Sequence, residues 1–217
     1  MKKTIYFIAL LVAIGGVCAE VYLLRKKAEA PVANVNVIID RGGLQNYATV
    51  PEFELTDRDG SRITDKDLKG KVWLANFIYT TCPDTCPKLS RRMANLQKAI
   101  LETGAAVGED RVRIVSFSVD PDHDTPEILA GYARALGASD KWHFLTGPAD
   151  QLHRVARVGF LVGFSKAPGT SRDVVHSEKI AIVDHKGVVR RYYNGVESDE
   201  DPQIIEDLKT LLKEANP

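Results

Sequence analysis

Two cysteines separated by three residues carry the densest chemistry in the chain, in Thr80-Thr81-Cys82-Pro83-Asp84-Thr85-Cys86-Pro87. An apolar run, Val72 to Tyr79, precedes them and a stretch with helical periodicity follows, so the pair is expected where a strand ends and a helix begins. Unpaired N–H groups and the helix dipole at such a junction stabilise negative charge, lowering a thiol's pKa and favouring thiolate. Pro83 and Pro87 stiffen the loop and restrict the residues before them. The spacing lets both sulfurs face one site across a helical turn, where they can close into a disulfide or chelate a soft metal. Thiolates select Cu(I), zinc or iron–sulfur clusters. Two cysteines are too few for a cluster within one chain, and no second Cys-x-x-Cys or His-x-x-x-His motif completes a zinc site. Two thiolates with one imidazole suit three-coordinate Cu(I), or Cu(II) with one more donor. A metal-free redox disulfide uses the same atoms, and these residues alone leave the two readings level.

Five histidines compete for the imidazole role. His185, in the turn Asp184-His185-Lys186-Gly187, is expected to be solvated. His143, beside Trp142, and His153, on a helix, read as structural. His123 belongs to Asp120-Pro121-Asp122-His123-Asp124 at the carboxyl end of a strand, where α/β folds place their sites. His176 directly precedes a strand and follows a long irregular stretch, Gly163 to Val175, which in a thioredoxin-like topology faces the cysteine loop. Position ranks His176 ahead of His123.

The elements that must hold these residues are legible from Pro51 onward. Phe53-Glu54-Leu55 and Ser61-Arg62-Ile63 flank the turn Asp57-Arg58-Asp59-Gly60 as two short strands. Val72 to Tyr79 is broken only by Asn76, the signature of a strand buried on both faces. Pro87 to Glu102 repeats Leu89, Met93, Leu96 and Ile100 at helical spacing. Val112 to Val119 is a second buried strand, and Thr125-Pro126 opens a helix. A short strand around His143 to Thr146 and a helix from Ala149 to Val158 follow. Lys179 to Asp184 and Val188 to Tyr193 form a closing hairpin, and Asp201-Pro202 starts a last helix. Alternating strands and helices with a closing hairpin predict an α/β domain around a central mixed sheet. The cysteine pair at the first long strand–helix junction makes that domain thioredoxin-like.

The chain has 217 residues with 29 basic and 29 acidic side chains, so no basic excess points to nucleic acid. Three cysteines are too few for a disulfide scaffold. The outlier, Cys18, lies in a run from Thr4 to Leu24 that is apolar except for Glu20 and is just long enough to span a bilayer. Residues 1–27 therefore read as a membrane anchor, with a cleaved signal peptide ending at Ala19 as the alternative. Arg25-Lys26-Lys27 lie on the side where a positive-inside bias would not put them. Either export reading places the domain on the oxidising side of a membrane, and the absence of a transit peptide favours a bacterial inner membrane facing the periplasm. Residues 28–50 read as a linker and 51–217 as the domain.

Three segments in order, Tyr79 to Pro87, Phe117 to Pro126 and His176-Ser177 before a strand, resemble the Sco/SenC family. The resemblance runs from about Pro51 to Leu212 and extends to the membrane segment. It implies a chaperone that carries one copper ion per chain to the dinuclear copper centre of cytochrome c oxidase, with Cys82, Cys86 and His176 as ligands. Asp120 and Asp124 match the family's Asp-x-x-x-Asp pair. They read as support behind the metal or as a docking feature, and equally as a turn and helix cap. Implied partners are the copper-centre subunit of the oxidase, other copper carriers and thiol reductants. The rival readings are a metal-independent thiol–disulfide oxidoreductase and a copper or redox sensor, with a peroxidase weaker than either.

Overall fold

The computed structural model describes residues 44–103, 109–166, 173–175, 177–196, 199 and 201–215. The apolar run 4–24, the segment from 25 to 43 and His176 lie outside the described residues. Among the described residues, no helix is long and apolar enough to cross a membrane.

The chain order is β1 (Ala48–Thr49), β2 (Glu54–Thr56), β3 (Arg62–Thr64), β4 (Val72–Ile78), α1 (Thr85–Thr103), β5 (Val112–Ser118), α2 (Pro126–Leu136), β6 (Trp142–Leu145), α3 (Ala149–Arg154), β7 (Phe164–Lys166), β8 (Asp173–Val175), β9 (Lys179–Val183), β10 (Val188–Asn194) and α4 (Asp201–Glu214). Six strands form one mixed sheet in the order β1-β10-β9-β4-β5-β6. The pairs β4–β5 and β5–β6 are parallel, as helical crossovers require, and the other three are antiparallel. The α/β class with a central mixed sheet is thus what the sequence predicts.

Central strand β4 is buried at all seven positions, because helices cover both faces. On one face Val72, Leu74 and Ile78 meet Leu89, Met93 and Leu96 of α1, Leu129 and Ala133 of α2, and Leu208, Leu211 and Leu212 of α4. On the other, Trp73, Ala75 and Phe77 meet Leu152 of α3, Val155 and Ala156 of the π-helical turn Val155–Gly159, and Phe160 just after it. Asn76 interrupts the apolar run without penalty at its carbonyl: Ser116 Oγ donates to Asn76 Oδ1 at 2.7 Å and accepts from Trp142 Nε1 at 3.0 Å. Buried polar groups persist where such partners exist.

Two expectations change. The segment assigned to a linker reaches the sheet before Pro51: β1 pairs with β10, and Tyr47 N donates to Val189 O at 2.9 Å. A two-residue edge strand carries too little periodicity to be read from sequence. The stretch Gly163 to Val175 is not wholly irregular, since β7 and β8 pair as a small antiparallel hairpin.

Candidate metal centre

Strand β4 runs through the core and stops at Ile78. The chain then turns through Tyr79 to Asp84 and enters α1 at Thr85. Cys82 N donates to Tyr79 O at 3.2 Å, closing the turn, and Cys86 N, in the helix's first turn, donates to Cys82 Sγ at 3.4 Å. Thr85 Oγ1 lies 3.7 Å from the same sulfur. Both cysteines are free thiols, each only 7% exposed.

Equal in exposure, the two thiols differ in acidity. Burial alone raises Cys82, but N–H donors of Asp84 and Cys86 and the hydroxyl of Tyr79 aim at its sulfur and bring it from 9.0 down to about 7. Burial pushes Cys86 up to about 12, and the neighbouring Cys82 sulfur and Asp124 carboxylate add to the rise. Tyr79, donating to Cys82, is itself raised to about 12. Cys82 is therefore a ready thiolate near neutrality, whereas Cys86 gives up its proton only to something that replaces it, such as a metal ion or a disulfide bond.

Behind the loop sits Asp124, 0% exposed. Its carboxylate accepts from Thr80 Oγ1 at 2.5 Å, from Ser118 Oγ at 2.7 Å and from Thr80 N at 3.3 Å. His123 Nδ1 lies 3.1 Å from the same carboxylate. A buried carboxylate is stable only when so surrounded. The result is a clamp that fastens the start of the cysteine loop to the end of β5. Asp120 contributes through its backbone carbonyl, which accepts from His123 N and Asp124 N at 3.1 and 2.8 Å. Thr125 caps α2 by accepting from Ile128 N at 3.4 Å. The Asp-x-x-x-Asp pair thus divides its work, with Asp120 shaping a turn and Asp124 bracing the loop from behind.

The histidines separate in the same way. His143 Nδ1 is 2.6 Å from Asp57 Oδ2, a structural pairing as expected. His185, expected to be solvated, instead has a buried Nδ1 with no hydrogen-bond partner, because its turn packs on Gly70, whose N–H donates to His185 O. His123 turns Nδ1 toward Asp124 and Thr80. Among the described residues, no three His, Cys, Asp or Glu side chains gather as a metal cage. The chain around position 176 is approached through its neighbours. Strand β9 is antiparallel to β4 with Ala181 opposite Ala75 and Val183 opposite Trp73, so β9 begins at the end of the sheet where β4 leaves for the cysteine loop. Glu178 O accepts from Gly195 N, and a Cβ on Gly195 would lie 2.3 Å from Leu89 Cδ1 and 2.6 Å from Glu178 O. Only glycine lets the segment leading into β9 press this closely on the first turns of α1.

The sequence reading did not single out Tyr79, Thr80 or Ser118. Ser118 was the most accessible signal, a hydroxyl that with Ser116 interrupts a largely apolar strand and needs a buried partner.

The family model for SCO1/SenC matches residues 41–213. The SCO1 protein homolog of Bacillus subtilis is 36% identical over 167 residues, covering 76% of this chain and 83% of that protein. BsSco, described as a member of the Sco family of cytochrome c oxidase assembly proteins with a disulfide switch, superposes with a TM-score of 0.68 at 35% identity, over 78% of this chain and 96% of that one. ScoI of Bradyrhizobium japonicum, solved with copper bound, gives a TM-score of 0.63 at 28% identity, over 76% of this chain and 100% of that one. The fold is the thioredoxin-like fold of these proteins.

Proposed function

Because the chain belongs to the SCO1/SenC family, we propose that it is a copper carrier for cytochrome c oxidase assembly, holding one copper ion on Cys82, Cys86 and His176. The observation that carries this reading is the unequal thiol pair at the start of α1, with the strand entered just after His176 beginning at the same end of the sheet. Two soft sulfurs and one imidazole match Cu(I), and one further donor would accommodate Cu(II). Copper-bound ScoI of Bradyrhizobium japonicum supports the same cargo here.

Loading begins at the Cys82 thiolate. Coordination then displaces the Cys86 proton, which its buried position otherwise retains. His176, shortly before β9, supplies the imidazole. Delivery follows by docking on the oxidase subunit that receives the dinuclear copper centre, where acceptor thiolates replace Cys86, Cys82 and His176 one at a time, so copper is never released free. The domain works outside a bacterial inner membrane, tethered through residues 1–27.

The disulfide switch ascribed to BsSco favours a second use of the same atoms. Cys82 thiolate attacks an acceptor disulfide, one acceptor sulfur leaves as thiolate, and Cys86 sulfur then displaces the second. Two electrons pass to the acceptor, which becomes a dithiol, and Cys82–Cys86 becomes a disulfide. The deciding experiment is Cu(I) competition titration of residues 41–217, of His176→Ala and of the Cys82→Ser/Cys86→Ser double variant. One-to-one binding that weakens about tenfold to a hundredfold without the imidazole and vanishes without the thiols supports the carrier. Parental binding by His176→Ala removes the assigned third ligand, and no binding by any form leaves thiol exchange as the function.

A further inference from the structure

We propose that His123 is a further copper ligand, separate from Cys82, Cys86 and His176, at which the ion pauses on its way to and from the thiols. Its Nδ1 lies 3.1 Å from Asp124 Oδ1 and 3.3 Å from Thr80 Oγ1. A carboxylate only accepts, and the one hydroxyl hydrogen of Thr80 goes to Asp124 Oδ1 at 2.5 Å. Both neighbours of Nδ1 are therefore acceptors, so Nδ1 carries the proton and Nε2 of the neutral ring carries the lone pair. Among the described residues nothing bonds Nε2, and the side chain is 44% exposed. A ligating histidine characteristically donates its second ring N–H to a carboxylate, which orients the ring and makes the ligating nitrogen more basic. His123 has that arrangement, on a carboxylate that is itself buried and fixed by Ser118. His143 is the contrasting case: it has the same pairing, with Asp57, but its side chain is only 16% exposed.

Place makes the ring a stop on the route to the thiols rather than an isolated surface group. Thr80, which the ring touches, stands two residues before Cys82, and Asp124, which holds the ring, also acts on the charge of Cys86. Cys82 is itself buried, so an ion reaches its sulfur only across the rim of the loop. From Val119 to Glu127 the chain has four carboxylates and no lysine or arginine, which favours an arriving cation. At the start of α1, the exposed Lys88 is paired with Asp84 at 2.7 Å. A single imidazole holds copper weakly, so the site catches the ion without keeping it. In transfer, the bond from Cu(I) to Nε2 breaks as the bond to Cys82 Sγ forms. Cys82 is already a thiolate, Cys86 then gives its proton to water, and no electron moves. Release runs the same steps backwards.

The transit role rests on the carrier reading, whereas the site itself is tested without the thiols. Residues 41–217 contain both hydrophobic clusters and the whole span of the family model, so the domain stands by itself. The first measurement adds substoichiometric Cu(II) to the Cys82→Ser/Cys86→Ser/His176→Ala variant and follows paramagnetic broadening of the histidine ring signals by NMR. The His123 signals are expected to vanish at about tenfold less copper than those of His143, His153 and His185, because theirs lack an exposed, carboxylate-backed nitrogen. Equal broadening of all four overturns the proposal. The second measurement compares the parent with His123→Gln in stopped-flow Cu(I) exchange with a small dithiol chelator. A group that holds the ion only in transit changes rates and not affinity, so loading and release should both slow by the same factor, about fivefold, with affinity kept within about twofold. Unchanged rates overturn the transit role. A tenfold loss of affinity with faster release makes His123 a resident ligand and overturns it equally. If the parent fails to bind Cu(I), the carrier reading and the transit role fall together, and the first measurement still decides whether His123 takes copper.

Discussion

Replacing Tyr79 with phenylalanine removes one of the groups that hold the Cys82 thiolate and leaves the loop's other contacts in place. Burial alone would raise this thiol, and the Asp84 and Cys86 N–H groups together with the Tyr79 hydroxyl bring it to about 7. A hydrogen bond to a charged acceptor contributes about 1.5–3 kcal/mol, and one pKa unit corresponds to about 1.36 kcal/mol, so its loss raises Cys82 by roughly one to two units. Tyr79 is only half-buried, so water takes over part of the role and the lower figure, about one unit, is expected. At pH 7 the thiolate fraction then falls from about a half to about a tenth, and alkylation of Cys82 slows about fivefold, while at pH 10 the two proteins react alike. Peptide-resolved iodoacetamide labelling across pH 5–10 measures this, with Cys86 as an internal control that stays protected below pH 10. A variant profile superimposable on the parent would show that the N–H donors alone hold the charge. A parental midpoint near 9 would refute the whole account of activation at the start of α1.

Copper affinity should rise with pH as ligand protons are displaced: the two thiols contribute about a hundredfold per unit below 7, to which the His176 imidazole adds wherever it is protonated, and Cys86 alone contributes about tenfold per unit from 7 to 12. Competition titrations at several pH values, corrected for chelator protonation, read the slope. Stability of the copper-free domain follows the same pair. Cys82, depressed from 9.0 to about 7, adds stability as pH rises from 7 to 9, because the unfolded chain binds the extra proton; Cys86, raised to about 12, removes stability from 9 to 12. A Cys82→Ser variant should lose the first limb and keep the second in thermal denaturation. Asp124→Ala strands the Thr80 and Ser118 donors and should cost about 3–5 kcal/mol in urea unfolding, whereas Asp124→Asn, which keeps an acceptor and loses the charge, should cost less and lower the Cys86 pKa. Gly195→Ala drives a methyl into Leu89 and the Glu178 carbonyl, which should cost about 1–3 kcal/mol and weaken copper binding beyond that loss by pushing the segment before β9 off α1.

The sequence carried the elements whose periodicity is enforced by burial. Strand β4 is apolar because both its faces are covered, and α1 repeats its leucines because one stripe meets the sheet, so both were legible within two residues of their ends. Strand β1 was not, because two residues on an edge strand owe their conformation to β10 rather than to their own pattern. The two thiols were legible by type and spacing, but their inequality was not. It depends on Tyr79 reaching back to Cys82 and on Cys86 sinking into the core beside Asp124. Asp124 was named with its role left open between support behind the metal, docking and a turn or helix cap, since a motif shows that two aspartates are present and not that one is buried beneath Thr80. His185 shows the converse error: a charged, glycine-containing turn looks solvated until the loop it packs on, Lys69-Gly70, is in place.

The unequal pair bears on how a carrier can hold copper tightly and still release it. Two equally acidic, exposed thiolates would bind quickly but would also oxidise to a disulfide or surrender the ion to any passing thiol. In the proposed carrier Cys82, at about 7, would capture the ion, and Cys86, raised to about 12, would enter the coordination sphere only by exchanging its proton for metal. On the proposed carrier reading, release would reverse that order most easily: once an acceptor thiolate took up part of the copper's bonding, protonation of Cys86 would be strongly favoured and would drive that ligand off. The clamp of Asp124 on Thr80 reinforces the asymmetry, since its negative charge opposes a second anion at Cys86 while its hydrogen bonds keep the loop from opening. Neutralising that charge with Asp124→Asn should therefore slow ligand exchange to an acceptor dithiol even where equilibrium copper affinity rises. Stopped-flow transfer to a small dithiol chelator tests this directly: faster release from the variant than from the parent would mean that the carboxylate holds copper rather than helping to expel it.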